Sequence, residues 1–341
     1  MVRPSAGGDA AEDRPSGAAA ADGLSIDPRT LVAILFPGQG AQSVGMLGAW
    51  IDGHPLAAGM FRRASELLGY DLASVCRAGP AATLDTTAVS QPAILVTSLA
   101  MLEVFRSRPR DQSGDHPLDR ATVTAGLSLG EYTALVFAGA LSFDDAVRLV
   151  DVRGRAMQAC AEASPGAMLA VLGLESDRVA QLCATVRGTD VLEVANILCP
   201  GNVVASGSAA ACERLRLAAS AAGAMKCVLL GVAGAFHTAL MKPAVSKLSA
   251  ALESVEIRPP RIPVVSNVDA LPHVDPAEIR RLLARQVVEV VQWQASMERL
   301  LASPQAGGHG VGEAWEVGPG RVLRGLMKRI DRRLPCAGVV E

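Results

Sequence analysis

Apolar residues along the chain fall into two kinds of run. Short continuous blocks stopped by Gly and Pro alternate with longer stretches in which apolar positions recur every three or four residues. The first block, Leu31-Val-Ala-Ile-Leu-Phe36, stops at Pro37-Gly38-Gln39-Gly40 and predicts a buried strand of a parallel sheet that ends in a tight turn. Helical periodicity follows near 56–68 and 91–107, a polar loop fills 107–120, and Ala121-Thr-Val-Thr-Ala125 predicts a second short strand. The turn Gly126-Leu-Ser128-Leu-Gly130 leads into a helix over 131–140. Ser142-Phe-Asp-Asp145 resembles a capping box that opens the next helix, out to about residue 160.

The pattern changes at Pro165. A strand over 166–174, a helix over 176–187, two strands over 191–196 and 202–207, a helix over 209–222 and a strand over 225–232 follow in order. This β-α-β-β-α-β sequence is the split motif of ferredoxin-like domains. The earlier pattern then resumes with a helix over 241–255, a strand over 262–266, helices over 276–287 and 292–302, a strand over 314–317 and a final helix from Gly320. The expected fold is α/β: a hydrolase-like parallel-sheet core, 30–164 and 233–335, with a ferredoxin-like (βαββαβ) subdomain inserted at 165–232. Residues 1–29 lack apolar periodicity and are expected to form a disordered tail. They have neither the apolar core of a signal peptide nor the acid-poor composition of a transit peptide.

Composition narrows the function classes. Of 341 residues half are hydrophobic and 19% charged, with a formal net charge of −2, which suits a chain with a substantial core and gives no overall basic field for nucleic acid. No uncharged apolar stretch of about 18 residues is evident, so no membrane-spanning helix and a soluble protein are expected. The seven cysteines are scattered, without Cys-x-x-Cys or a Cys/His cluster; neither a disulfide framework nor a metal site is expected, and a reducing compartment fits.

Three residues carry candidate chemistry. Ser128 lies in a Gly-x-Ser-x-Gly turn between a strand and a helix, the context of a nucleophile elbow. There small neighbours let strand and helix close around a strained turn that exposes the hydroxyl and aims the Leu129 N–H at a developing oxyanion. The alternative is a plain Gly/Ser turn. Among five histidines, His54, His116, His273 and His309 sit in turns or polar loops and are expected at the surface. His237 follows a core strand and the small-residue run Ala233-Gly-Ala-Phe236, where ligands bind in open α/β sheets. A buried structural histidine is the competing reading. No Asp or Glu stands out between Ser128 and His237, which points to a Ser–His dyad with the imidazole oriented by a backbone carbonyl. Arg153 falls on the apolar stripe of its helix with Ala146, Leu149, Val150 and Met157. A core-facing guanidinium needs an anion: an internal carboxylate, or that of a substrate, unless it snorkels to water.

Taken in order, Phe36-Pro-Gly-Gln39-Gly-Ala-Gln42, Gly126-Leu-Ser128-Leu-Gly130-Glu131-Tyr132, Arg153-Gly154, Phe236-His237, Asn267-Val-Asp269 and Glu316-Val-Gly-Pro-Gly320 resemble malonyl-CoA:acyl carrier protein transacylases and the acyltransferase domains of polyketide synthases. The resemblance covers about residues 31–330. It implies that Ser128 is acylated, His237 is the base, Arg153 grips the free carboxylate of malonate, and the backbone N–H groups of Gln39 and Leu129 form the oxyanion hole. It also implies that the main-chain carbonyl of Gln286 orients the histidine, that Gln91 and Asn196 line the site, and that Phe236 is the malonyl-type residue before the histidine. Leu127 departs from the usual His, and Asn202 falls near a position often held by Gln. The activity implied is ping-pong transfer of malonyl from malonyl-CoA to the phosphopantetheine thiol of acyl carrier protein for fatty acid synthesis, with no bound cofactor and no metal. A free-standing acyltransferase serving a polyketide synthase and a serine thioesterase or esterase are the alternatives, with a carrier-binding subunit that has lost activity further behind. A monomer is expected, in the plastid stroma if eukaryotic and otherwise cytoplasmic. Arg321, Arg324, Lys328, Arg329, Arg332 and Arg333 on the final helix are either a docking face for the acidic carrier or a solvated face.

Overall fold

The computed structural model describes residues 30–112, 114–232 and 234–339. The expected disordered tail, 1–29, lies outside the described residues. In chain order the elements are β1 (Val32–Phe36), α1 (Pro55–Leu68), α2 (Leu72–Ala78), α3 (Ala81–Leu84), α4 (Thr87–Arg106), β2 (Ala121–Gly126), α5 (Gly130–Phe137) and α6 (Phe143–Ala163). They continue with β3 (Gly166–Leu172), α7 (Ser176–Val186), β4 (Leu192–Cys199), β5 (Asn202–Ser208), α8 (Ala209–Ala221), β6 (Lys226–Leu229), α9 (Lys242–Glu253) and β7 (Val264–Val265). The last are β8 (Pro272–His273), α10 (Pro276–Gln286), α11 (Trp293–Leu301), β9 (Glu313–Glu316), α12 (Val322–Ile330) and β10 (Cys336–Gly338).

Among the described residues ten strands form two sheets. One runs in the order β10-β9-β1-β2-β7-β8 and is parallel except for the β7–β8 pair. All five residues of β1 are buried, as a central strand covered on both faces requires. Register pairs Phe36 with Gly126 and Leu35 with Glu316, so the turns after β1, β2 and β9 emerge side by side at the carboxyl edge of the sheet. The second sheet is antiparallel, in the order β4-β5-β3-β6, with α7 and α8 packed together over its own apolar cluster. The segment after α10 joins the two units, because Val291 N donates to Ala195 O and Ile197 N to Val291 O.

Against the expectation of no such stretch, the helix α4 is long and apolar enough to cross a membrane, but 83% of its most apolar part is buried inside the protein. It packs against α1 and α6 as a core helix. Ser142 caps α6 by accepting from Asp145 N, while its hydroxyl donates to the Asp145 carboxylate, so the capping serine is as expected and the acid binds its hydroxyl rather than its backbone. The strand expected over 225–232 is shorter. After Leu229 the chain leaves the sheet and crosses α6, and small residues are needed there: a Cβ on Gly234 would lie 2.4 Å from Ala161 Cβ. The short elements α2, α3, β8 and β10 were not anticipated, because runs of two to seven residues carry too little periodicity to detect.

One glycine sets the spacing of α4 and α6. A Cβ on Gly154 would come within 2.7 Å of Thr87 O and 3.1 Å of Ala88 Cα. Gly154→Ala should therefore destabilise the protein by about 1–3 kcal/mol despite its better helix propensity. Denaturant unfolding measures this, and an unchanged or raised midpoint would contradict the close packing.

Candidate active site

The carboxyl edge of the parallel sheet holds the site. Ser128 follows β2 with φ 48°, and His237 has φ 60°; with Ala270 these are the described non-glycine residues in the left-handed region. Such backbone costs of order 1–3 kcal/mol per residue and persists only where surroundings hold it. At Ser128 the surroundings are explicit. A Cβ on Gly126 would sit 1.8 Å from Gly130 C, and one on Gly130 would sit 2.2 Å from Phe36 O, so both glycines are required for the strand, turn and helix to close. Asn267, in the loop after β7, fastens the turn by accepting from Ser128 N at 2.6 Å and donating from Nδ2 to Gly126 O at 2.8 Å.

Ser128 Oγ lies 2.9 Å from His237 Nε2, and His237 Nδ1 lies 2.8 Å from the main-chain oxygen of Gln286. A carbonyl only accepts, so Nδ1 carries the proton and Nε2 is free to accept from the serine hydroxyl. Burial, then the nearby Arg153 charge, pushes the His237 pKa down to about 4, which keeps the imidazole neutral near pH 7.

Arg153 is 1% exposed, and no carboxylate lies at ion-pair distance from it among the described residues. Its guanidinium donates to Gln91 Oε1 at 2.7 Å, to Gln286 Oε1 at 3.0 Å and to Ser128 Oγ at 3.0 Å, and it sits 5.6 Å from the centre of the Tyr132 ring. The internal salt bridge and the snorkelling arginine are therefore both set aside. Neither the Gln39 nor the Leu129 N–H has a hydrogen-bond partner among the described residues, and Leu129 caps the positive end of α5. A cavity of about 170 Å³ opens above these groups, with Gln39, Ser128, Arg153, Asn196 and His237 as its polar lining and Met157, Met168, Leu198, Val204 and Phe236 among its apolar walls.

This arrangement provides a nucleophilic hydroxyl, a neutral base, two unspent amide donors and a buried cation around one small cavity. An acyl group on Ser128 is what it can accept, and an acyl group bearing an anion is what it would favour.

Comparison with known proteins bears on the same surface. The acyl transferase domain family matches residues 34–311. A malonyl CoA-acyl carrier protein transacylase of Salmonella typhimurium is 42% identical over 312 residues, covering 92% of this chain and 96% of that one. Among solved structures, an acyl carrier protein S-malonyltransferase of Vibrio cholerae superposes with a TM-score of 0.81 at 39% identity, over 90% of this chain and 96% of that one. A malonyl-transacylase solved in complex with its type II PKS acyl-carrier protein gives 0.82 at 39% identity, over 91% and 96%. The chain belongs to the malonyl-CoA:acyl carrier protein transacylase family. It is an acyltransferase enzyme.

Within this transacylase, most residues singled out by sequence converge at the cavity, with two adjustments. Gln91 does not line the cavity; it is fully buried behind Arg153 and also donates to Met157 Sδ. Asn202 stands at the β4–β5 hairpin and is not among the lining residues. Leu127 belongs to the second apolar cluster and also lines the cavity, and the hydrogen bonds that hold the elbow come from Asn267 instead. The expectation that four histidines are surface turn residues fails for His116, which is 6% exposed, bonded to Phe105 O and packed on the Phe105 ring. The others are half-buried, and none lines the cavity.

Sequence reasoning missed the roles of Asn267, Glu131 and the Gln286 side chain. Asn267 and Glu131 stood inside the quoted motifs, so a signal existed, but nothing in spacing says what a side chain touches. One trio, Asp269, His273 and Glu278, brings potential metal-ligand atoms within 4.8 Å of one another. Asp269 already binds His273, and Arg281 binds Glu278.

A depressed histidine pKa has a direct readout. With His237 acting as the base for Ser128, and active when neutral, the rate at which a small uncharged acylating reagent modifies Ser128 should hold from about pH 8 down to about pH 5 and fall near pH 4. A fall centred at the ordinary imidazole value, about 6.5, would contradict the buried, Arg153-facing environment.

Proposed function

We propose that the protein transfers the malonyl group from malonyl-CoA to the phosphopantetheine thiol of acyl carrier protein, through a malonyl ester on Ser128, and so supplies fatty acid synthesis. The observation that carries this reading is the Arg153 guanidinium, 3.0 Å from Ser128 Oγ and without a carboxylate of its own. Malonate places a carboxylate one methylene from its reacting carbonyl. A malonyl group on Ser128 thus meets a cation that no protein carboxylate pairs with, by paired hydrogen bonds.

The chemistry runs in two halves. Ser128 Oγ attacks the thioester carbonyl as its proton passes to His237 Nε2. The Gln39 and Leu129 N–H groups hold the oxyanion, each worth about 3 kcal/mol in comparable sites. The C–S bond breaks, and the departing coenzyme A sulfur takes the proton from His237. The carrier's thiol then gives its proton to His237 and attacks the ester; Ser128 leaves with that proton restored. The Gln286 carbonyl keeps the imidazole in the right tautomer throughout, in the place where a hydrolase triad would hold an acid. None of these steps calls for a metal or cofactor.

We read 165–232 as a ferredoxin-like subdomain inserted into a hydrolase-like core of 30–164 and 233–335. The antiparallel order β4-β5-β3-β6 and the two covering helices support this. The subdomain contributes Met168, Asn196 and Val204 to the cavity wall, so the acyl group sits in the cleft between the two units. Acyl carrier protein as partner draws support from the related transacylase solved with its carrier. The basic face of α12 begins at the cavity mouth, where Val322 lines the opening and Arg321 is exposed. Not all of that face is free: Arg324 pairs with Glu316, and Arg329 donates to Pro200 O. A polyketide setting would use the same residues. A thioesterase is disfavoured by the buried Arg153.

Intact-mass analysis after mixing with malonyl-CoA should show one malonyl adduct that persists in water until a thiol acceptor is added, and none for Ser128→Ala. Arg153→Ala should slow malonyl loading by about 100-fold and acetyl loading far less. An adduct that hydrolyses unaided, or equal losses for both acyl groups, would overturn the reading.

A further inference from the structure

Glu131 has no part in the steps above, yet it lies at their centre. It is 3% exposed in the first turn of α5. An acid there that served only the helix dipole would sit at the surface, where it keeps its water. This carboxylate instead turns inward. Its Oε2 accepts from Gln286 Nε2 at 2.7 Å and from Asn267 N at 3.0 Å, and no cationic side chain pairs with it among the described residues. Burial pushes its pKa up to about 7. A carboxyl group held out of water at such cost needs a reason.

Gln286 provides one. Its main-chain oxygen orients His237, and its side-chain Oε1 accepts from Arg153. The two ends of an amide are nearly the same shape, so rotation by a half turn would set an NH2 group against the guanidinium, donor to donor. The Nε2 end is held by Glu131 Oε2 and by Ser128 O at 2.9 Å, both acceptors. We propose that Glu131 is a positioning residue for diacid selection: its carboxylate fixes the Gln286 side chain so that Oε1 faces Arg153 and holds the guanidinium ready for the substrate carboxylate. The same group bonds Asn267, which fastens the Ser128 turn, so nucleophile and carboxylate grip are set from one buried point. This inference rests on the malonyl-transfer reading.

Two substitutions separate reach from charge. Glu131→Asp keeps the charge but withdraws the carboxylate by one methylene from Gln286; Glu131→Gln keeps the reach and gives up the charge. With malonyl- and acetyl-CoA loading measured side by side, E131D should lower the malonyl-to-acetyl ratio by about tenfold, as expected for loss of one hydrogen bond to a charged group. E131Q should hold the ratio within about threefold, since its amide oxygen still accepts. A ratio unchanged in E131D, or malonyl and acetyl loading falling in parallel, would reduce Glu131 to a structural role and overturn the proposal; so would an E131Q ratio as low as that of E131D. The side-chain amide protons of Gln286 in the wild-type protein give a check that needs no variant. Held by two acceptors, they should appear as one resolved pair protected from exchange with water, and rapid exchange would overturn the proposal. Wild-type protein that forms no malonyl adduct would instead remove the reading beneath it, and the Gln286 amide signals would then decide the positioning claim alone.

Discussion

Arg153 is removed from water without a carboxylate of its own, and the surroundings of Ser128 are arranged around that fact. Amide oxygens from Gln91 and Gln286 and the serine hydroxyl accept hydrogen bonds from the guanidinium without cancelling its charge, its Nε is left without a partner, and the Glu131 carboxylate acts on it only from beyond ion-pair distance. A fixed positive field therefore remains at the cavity floor. It helps keep His237 neutral, and on the proposed mechanism that suits a base and favours acyl groups that bring their own anion. A hydrolase can use a carboxylate behind its histidine; here a carboxylate in that place would compete with the substrate for the same cation. The peptide carbonyl of Gln286 orients the imidazole and adds no charge.

The fold supplies the rigidity such a site demands. Parallel pairing of β1 with β2 and β9 brings three turns to one edge, and the closest approaches among them leave no room for a side chain at Gly38, Gly126 or Gly130. Left-handed backbone at Ser128 and His237 is strained in isolation and is held here by contacts from several elements. The segment after α10 does double service: Gln286 faces His237 and Arg153, and Val291, five residues on, bonds to the edge of β4. The small sheet that walls the cavity is thus tied to the residue that aligns the catalytic groups.

Much of this was legible in the sequence because it is written in local pattern. The elbow around Ser128 needs glycines at fixed spacing, His237 follows a run of small residues that crosses α6, and Arg153 interrupts an apolar stripe. What was not legible depends on contacts across long stretches of chain. Glu131 reads as an ordinary first-turn acid, and only its neighbours, more than a hundred residues away, make it a buried one. Asn267 sits in a loop without periodicity. His116 reads as a loop residue and is buried because the loop folds back on Phe105. The strand expected through Val232 stops at Leu229: Leu230 N still donates to Met168 O, but Val232 N turns back to Leu230 O and the chain leaves β3 before that strand ends.

The central claim is that an uncompensated buried guanidinium awaits the free carboxylate of the acyl group. A crystal structure of the protein trapped with malonyl on Ser128 tests it most directly. The account predicts both carboxylate oxygens within hydrogen-bond distance of the Arg153 guanidinium, with the Ser128 ester carbonyl turned to the Gln39 and Leu129 amides. A malonyl carboxylate pointing to solvent, with Arg153 still bound as in the free protein, would contradict it.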